Sequence, residues 1–341
     1  MLYFLSDYTE GAHPRILERL AETNRESQPG YGADRWCAAA AEKIRAACGR
    51  EEAQVFFLTG GTQANLVVIS ALLGRAEAVI AGESGHIAVH EAGAIEYTGH
   101  KVISLPAAEG KLRAEELASY MERFLADGTH EHMPQPGMVY LSQPTELGTL
   151  YSREELEAIR TACLRFGLKL YVDGARLGYG LMSPAADLTL QELAGLCDVF
   201  YLGGTKMGAL CGEAVVFPGG DAPRYFLTMT KQQGAMLAKG RLLGLQFDVL
   251  FTDGLYWEIG RRATALALKL KAAFLDKGYP LYLDSPTNQQ FVILTEEQLE
   301  RLRPHAAFEI WEPLSDGRSV ARFVTGWATR EEEISALKEL L

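Results

Sequence analysis

Apolar runs that alternate with stretches of helical spacing restrict this chain more than any other feature. The runs are "AQVFFLT" (53–59), "EAVIAG" (77–82), "KVISLPA" (101–107), "GMVYLSQ" (137–143), "LKLYVDGARLG" (168–178) and "DVFYLGGTK" (198–206). Between them lie helical patterns such as "TQANLVVISALLG", "GHIAVHEAGAIEYTG" and the amphipathic "SREELEAIRTACLRFG". Strands buried on both faces read as continuous apolar runs, and their alternation with helices predicts a mainly parallel sheet covered on both sides. The expected fold is therefore α/β, a three-layer mainly parallel sheet over residues 1–250. After about residue 250 comes a long helical pattern, "YWEIGRRATALALKLKAAFLDKG". Strand candidates "QQFVILT" and "SVARFVTGWAT" and a closing helix "REEEISALKELL" follow it, which predicts a smaller α+β domain over 251–341.

A formal charge of -11 argues against nucleic acid or an anionic membrane as a partner. No window approaches the ~20 apolar residues of a membrane span, and the N-terminal "MLYFLSDYTEG" lacks a basic leader. The expected partners are small molecules or further copies of the chain. Five widely spaced cysteines (Cys37, Cys48, Cys163, Cys197, Cys211) contain no CxxC pair. They read as reduced thiols in a cytoplasmic protein, with neither a disulfide framework nor a metal site.

Three places carry chemistry. "LTGGTQAN" sets Gly60, Gly61 and Thr62 between a strand and a helix, where free N–H groups favour an anion such as phosphate. Alone it also reads as a plain tight turn. Asp173 in "YVDGAR" ends a buried run, at the edge where open α/β sheets bind ligands. It could hold a cationic ring nitrogen; a helix cap or a pair with Arg176 is the plain alternative. Lys206 follows the next buried run in "GGTKMGA". A buried ammonium is costly, so Lys206 is either turned to solvent, paired, or chemically converted. Together the three fit pyridoxal phosphate with Lys206 as its Schiff-base amine. His86 follows the strand 77–82 and could lie on a cofactor ring, while His90, four residues on, reads as structural.

From end to end the chain resembles the threonine aldolase-type members of the fold-type I pyridoxal-phosphate enzymes, close to the β-eliminating lyases. The resemblance runs through "SDYTEGAHPRI", "GYGAD", "LTGGTQANL", "GHIAVHEAGA", "VDGARLG", "GGTKMGA" and "ARFVTGWAT". It implies that Lys206 anchors the cofactor, Asp173 pairs with its ring nitrogen, His86 stacks on the ring, and Gly60, Gly61 and Thr62 hold its phosphate. Arg176 and Arg322, with Ser6, would bind a substrate α-carboxylate. Tyr31 would line the site, and Lys239 and Arg241 would reach the phosphate from a partner chain in a homodimer or homotetramer. The implied reaction cleaves the Cα–Cβ bond of threonine or a related β-hydroxy-α-amino acid to glycine and an aldehyde.

Two departures fall near the implied side-chain pocket. Where the family commonly carries Thr-His-Asn-Gly, this chain reads "PTELG", with Glu146 at the histidine. After Arg322, where Thr-His is usual, it reads "VTGWAT", with Gly326 beside Trp327. Glu146 is then a candidate acceptor of the substrate hydroxyl proton, or a selector of another amino acid. The alternatives are another pyridoxal-phosphate reaction, such as β-elimination, racemisation or transamination, and a non-catalytic phosphate-binding α/β protein.

Overall fold

The computed structural model describes residues 1–341. The chain opens with a two-residue strand β1 (Leu2–Tyr3). Seven strands then build one sheet: β2 (Gln54–Leu58), β3 (Glu77–Gly82), β4 (Val102–Leu105), β5 (Gln135–Ser142), β6 (Lys169–Asp173), β7 (Val199–Gly203) and β8 (Glu213–Phe217). Their spatial order is β2-β8-β7-β6-β5-β3-β4, and β8 alone runs antiparallel to its neighbours. The expected α/β class and mainly parallel sheet are what the chain adopts.

Both faces of the sheet are buried, as the continuous apolar runs require. Ile80, Leu141, Val172 and Phe200 enter the core on one face, while Val79, Tyr140, Tyr171 and Tyr201 enter the core on the other. Local signals set the helix limits. The helix Arg153–Phe166 starts at a Ser152–Glu155 capping box and stops at Gly167, whose φ of 68° a residue with a Cβ rarely adopts. The segment "GHIAVHEAGAIEYTG" departs from its helical reading. It forms only the single turns His86–Val89 and Ala94–Tyr97, because Ala92 (φ 51°) and Gly93 (φ 73°) turn left-handed between them.

The remaining strands are β9 (Gln289–Leu294), β10 (Ala306–Ala307), β11 (Glu309–Pro313) and β12 (Ser319–Val324). Three of them form an antiparallel sheet in the order β11-β12-β9, and β10 pairs in parallel with β1. The N-terminal arm thus joins the smaller unit rather than the large sheet, with Phe4 packed among Leu270, Phe274 and Phe323. The helix Leu255–Asp276 bridges the two cores: Tyr256 and Ile259 face the larger one, Leu266, Leu270 and Phe274 the smaller.

Close backbone approach fixes the ends of β6 and β7. The Gly203 N–H donates to the Gly174 carbonyl at 2.9 Å, and a Cβ on Gly174 would lie 1.8 Å from the Tyr201 carbonyl oxygen. Gly174→Ala is expected to lower stability by about 3 kcal/mol, read as a fall in the urea midpoint. The comparison is Gly128→Ala, whose Cβ would meet nothing within 4 Å and which should change stability by less than about 0.5 kcal/mol. Equal midpoints for the two variants would contradict the close approach.

Candidate active site

The carboxyl-terminal edge of the sheet opens into a cleft of about 340 Å³. The turns after β2, β3, β5, β6 and β7 all deliver polar side chains to it: Gly60–Thr62, His86, Glu146, Asp173 with Arg176, and Lys206.

Asp173, the last residue of β6, is buried and accepts four hydrogen bonds. Its Oδ1 takes them from the Tyr201 hydroxyl at 2.5 Å and the Ala175 N–H at 3.0 Å. Its Oδ2 takes them from the Tyr140 hydroxyl at 2.6 Å and Asn65 Nδ2 at 3.0 Å. Burial works to raise its pKa, but the charge of His86 and the hydrogen bonds from Tyr140, Tyr201 and Ala175 outweigh it and hold the carboxyl below its ordinary value. Asp173 is therefore an ionised carboxylate in the core.

Asn65 extends this network. Its Nδ2 also donates to Glu91 Oε1 at 2.6 Å, and its Oδ1 accepts from the Tyr171 hydroxyl at 2.7 Å. The same Glu91 oxygen meets His86 Nδ1 at 2.8 Å. Burial disfavours a charged His86, yet the Glu91 hydrogen bond and the charges of Asp173 and Glu91 prevail and raise its pKa. His90, read as structural, is exposed, with its ring centroid 5.7 Å from that of His86 and 6.0 Å from that of Trp311.

Lys206 sits in a single 3₁₀ turn, Thr205–Met207, that follows β7. Its amine forms no ion pair and lies 5.9 Å from the Tyr8 ring centroid. Burial and the Arg176 charge depress its pKa, and Asp7, Asp173 and Glu213 only partly oppose them. Across the cleft, Gly60 caps the helix Gly61–Leu72 without any side-chain hydrogen bond, so the first N–H groups are free for an anion.

Glu146 is buried after β5. Its Oε1 accepts from Ser142 Oγ at 2.6 Å and from the His86 N–H at 2.9 Å. Burial pushes its pKa up, and the Ser142 hydrogen bond only partly offsets this.

Both arginines are already oriented by carboxylates. Arg176 Nε and Nη2 grip the two oxygens of Asp7 at 2.8 and 3.0 Å, and Asp7 also accepts from Asn288 Nδ2 at 2.9 Å. Arg322 donates to Gln289 Oε1 at 3.1 Å, pairs with Glu309, and lies over the Trp311 ring at 5.1 Å. Two buried polar atoms beside them have no partner, Ser6 Oγ and Arg322 Nε. Unmet hydrogen-bonding capacity next to two guanidinium groups suits a carboxylate ligand.

Five residues expected at the site do not line the cleft of their own chain: Ser6 and Arg322, and with them Tyr31, Lys239 and Arg241. Tyr31 is exposed beneath Lys231, whose amine is 4.2 Å from its ring centroid, and lines a separate apolar groove with Leu227 and Leu243. Lys239 is solvent-exposed. The Arg241 guanidinium is spent on the carbonyls of Thr23 and Glu26, at 2.9 and 3.0 Å, where it ties two loops together.

Sequence reasoning passed over Tyr140, Tyr171, Tyr201, Asn65, Glu91, Asp7 and Glu213. One signal was available for the tyrosines. Each of the runs "MVYLS", "KLYVD" and "VFYLG" carries a tyrosine inside a buried strand, and a buried phenol needs a polar partner. No cluster of three or more histidines, cysteines or acids is arranged to hold a metal ion. No helix is long and apolar enough to cross a membrane.

Comparison with known proteins matches this geometry to a family. The family model described as beta-eliminating lyase matches residues 3–295. A low specificity L-threonine aldolase from Pseudomonas aeruginosa is 32% identical over 342 residues, covering 98% of this chain and 95% of that protein. Among solved structures, a Leishmania major threonine aldolase superposes with a TM-score of 0.96 at 42% identity, covering 100% of this chain and 98% of the other. A Thermus thermophilus aspartate aminotransferase with maleate shares the fold at 16% identity, with a TM-score of 0.72 over 100% of this chain and 90% of that one. With a model match over most of its length and a relative this similar from end to end, the chain belongs to the beta-eliminating lyase family.

Proposed function

We propose that this chain is a pyridoxal-phosphate-dependent aldehyde-lyase that cleaves L-threonine, or a related β-hydroxy-α-amino acid, to glycine and an aldehyde. The observation that carries the reading is an ionised Asp173 and an unpaired Lys206 amine at the ends of neighbouring strands, in one cleft with a helix start free to hold an anion. Its near relatives carry the name threonine aldolase.

The residues fit the cofactor. Gly60, Gly61 and Thr62 would hold its phosphate, Asp173 its ring nitrogen, His86 its ring face and Lys206 its aldehyde. When bound, pyridoxal phosphate supplies a protonated ring that accepts the electron pair released as a bond at the substrate Cα breaks. Asp173 keeps that ring protonated, because a carboxylate locked in its ionised form by four donors stabilises a cation beside it. Arg176 and Arg322 orient the substrate α-carboxylate through their remaining N–H groups, with Ser6 Oγ as a further donor. Glu146, whose raised pKa makes it a stronger base than an exposed glutamate, takes the β-hydroxyl proton as the Cα–Cβ bond breaks. Glu91 positions His86 and, against the effect of burial, raises its pKa. The proposal extends to a cytoplasmic homodimer or homotetramer, in keeping with Tyr31 and Lys239 lying outside their own chain's cleft.

A visible spectrum before and after borohydride, with peptide mass mapping, tests the cofactor. A yellow band lost on reduction and a pyridoxyl adduct on Lys206 are expected; a colourless protein that pyridoxal phosphate cannot reconstitute would end the reading. Acetaldehyde and glycine from threonine identify the aldolase, whereas pyruvate and ammonia from serine would identify an eliminating enzyme.

Glu146→Gln is expected to lower kcat about 10²-fold or more and to remove the acid limb of the pH profile. Because Glu146 acts as a base only once ionised and its pKa is raised, that limb lies above the ordinary glutamate range. Threonine cleavage at the parent rate in this variant would rule out the base role. Glu91→Gln should lower the His86 pKa, followed by NMR titration of the imidazole, since it removes the charged acceptor on Nδ1. An unmoved titration would show that Glu91 does not hold the proton there.

A further inference from the structure

One buried carboxylate in the cleft has no part in the chemistry above. Glu213 is the first residue of β8, the strand that runs against its neighbours. Its reversed direction brings its N-terminal residue to the same sheet edge where β2 and β7 end. The register is direct: Glu213 stands opposite Leu58 on one side and Gly203 on the other. Leu58 leads into Thr59–Gly60–Gly61–Thr62, the free helix start, and Gly203 leads into Gly204–Thr205–Lys206. The Glu213 side chain lines the cleft with both turns while remaining 4% exposed.

Its surroundings are poor in positive charge. The Gly204 N–H donates to Glu213 Oε2 at 3.0 Å, and the Thr205 hydroxyl is the second hydrogen-bonding neighbour. Asp173 acts on it from β6, Tyr201 from β7, Tyr256 from the helix Leu255–Asp276, and Cys211 from the turn before β8. Lys206 is the one cation among them, and it forms no ion pair with Glu213. Burial pushes the Glu213 pKa up to about 8, against the Thr205 hydroxyl, the Lys206 charge and the Gly204 N–H.

We propose that Glu213 is the proton-binding member of the phosphate site, taking up a proton from solvent when the cofactor phosphate enters so that a neutral carboxylic acid stands between the anion cradle and Lys206. This rests on the cofactor reading above. Two anionic groups sharing a poorly solvated site repel, and the one that can be neutralised by a proton is driven to bind it. A buried carboxylic acid gains an O–H donor that a carboxylate lacks, so protonation turns a repulsive neighbour into a hydrogen-bond donor. Cofactor affinity is then linked to pH through Glu213. In the range where free protein has lost that proton, each pH unit weakens binding by about tenfold.

The test is calorimetric titration of the cofactor-free protein with pyridoxal 5'-phosphate between pH 7 and 9.5. Two buffers of different ionisation enthalpy count the protons taken up, and pyridoxal, which lacks the phosphate, is the control ligand. At pH 9 the parent protein should take up close to one proton more than Glu213→Gln. Its affinity should fall with pH more steeply than the variant's, and both differences should shrink with pyridoxal. Equal proton counts and parallel affinity curves would overturn the inference while leaving the cofactor reading intact. No binding to either protein would overturn both. Should Glu213→Gln fail to fold, the parent protein decides. Extra proton uptake with the phosphate-bearing ligand, with its phosphorus resonance at the dianion position, supports the proposal, and equal uptake with the two ligands overturns it.

Discussion

The site is organised around a single charge removed from water. A carboxylate at the end of a buried strand loses its hydration, a penalty of several kcal/mol unless protein donors replace it. Here the replacement comes from four directions: Tyr140 from β5, Tyr201 from β7, Asn65 from the helix Gly61–Leu72, and the N–H of Ala175 from its own turn. The strand order that sets β6 between β5 and β7 is what brings two phenols to one carboxylate. Asn65 then hands the arrangement on to Glu91, and Glu91 to His86. The solvation shell of Asp173 is thus also the framework that orients the opposite side of the cleft.

The side proposed to take the substrate follows a different physical logic. Arg176 and Arg322 are each held by a carboxylate, Asp7 and Glu309, so their planes are fixed before any ligand arrives. Preorganised guanidinium groups spend little rotamer entropy on binding. A β-bulge between Ile310 and Glu312 leaves Trp311 as the extra residue of its strand, and that indole lies over Arg322. Glu146 completes this side, held by Ser142 and by the backbone of His86, so the proposed base and the residue proposed to stack on the cofactor ring share one support.

How much of this was legible depended on the kind of signal each element leaves. Strands β2 to β7 were readable because each leaves an unbroken apolar run, and the helix Arg153–Phe166 because it carries its own caps. The segment after His86 misled because its apolar spacing is helical, while Ala92 and Gly93 break it through backbone conformation that spacing does not encode. Strand β11 left no signal: "EIWEP" is short, charged at both acids and ends in proline. Asp173 and Lys206 stood out because polar residues at the ends of apolar runs are conspicuous. Asp7 and Glu91 did not, since a lone acid in a loop looks solvated until the fold closes over it. Arg241, which the resemblance implies as a phosphate ligand from a partner chain, is engaged within its own chain by the carbonyls of Thr23 and Glu26, a contact that no local spacing announces.

The arm that pairs β1 with β10 has a consequence for biosynthesis. Ser6 and Asp7 follow β1 directly, the Val324 N–H donates to the Phe4 carbonyl at 2.8 Å, and Arg322 lies two residues before Val324. The proposed carboxylate clamp is therefore sewn from opposite ends of the described chain, whereas the Gly60, His86, Asp173 and Lys206 positions all lie within its first two thirds. On the ribosome, every residue proposed to hold the cofactor is made before β12, which carries Arg322, emerges. The β1 arm, made first, then stays unpaired until β10 follows it, and the proposed grip on an amino acid is the last part of the cleft to be completed.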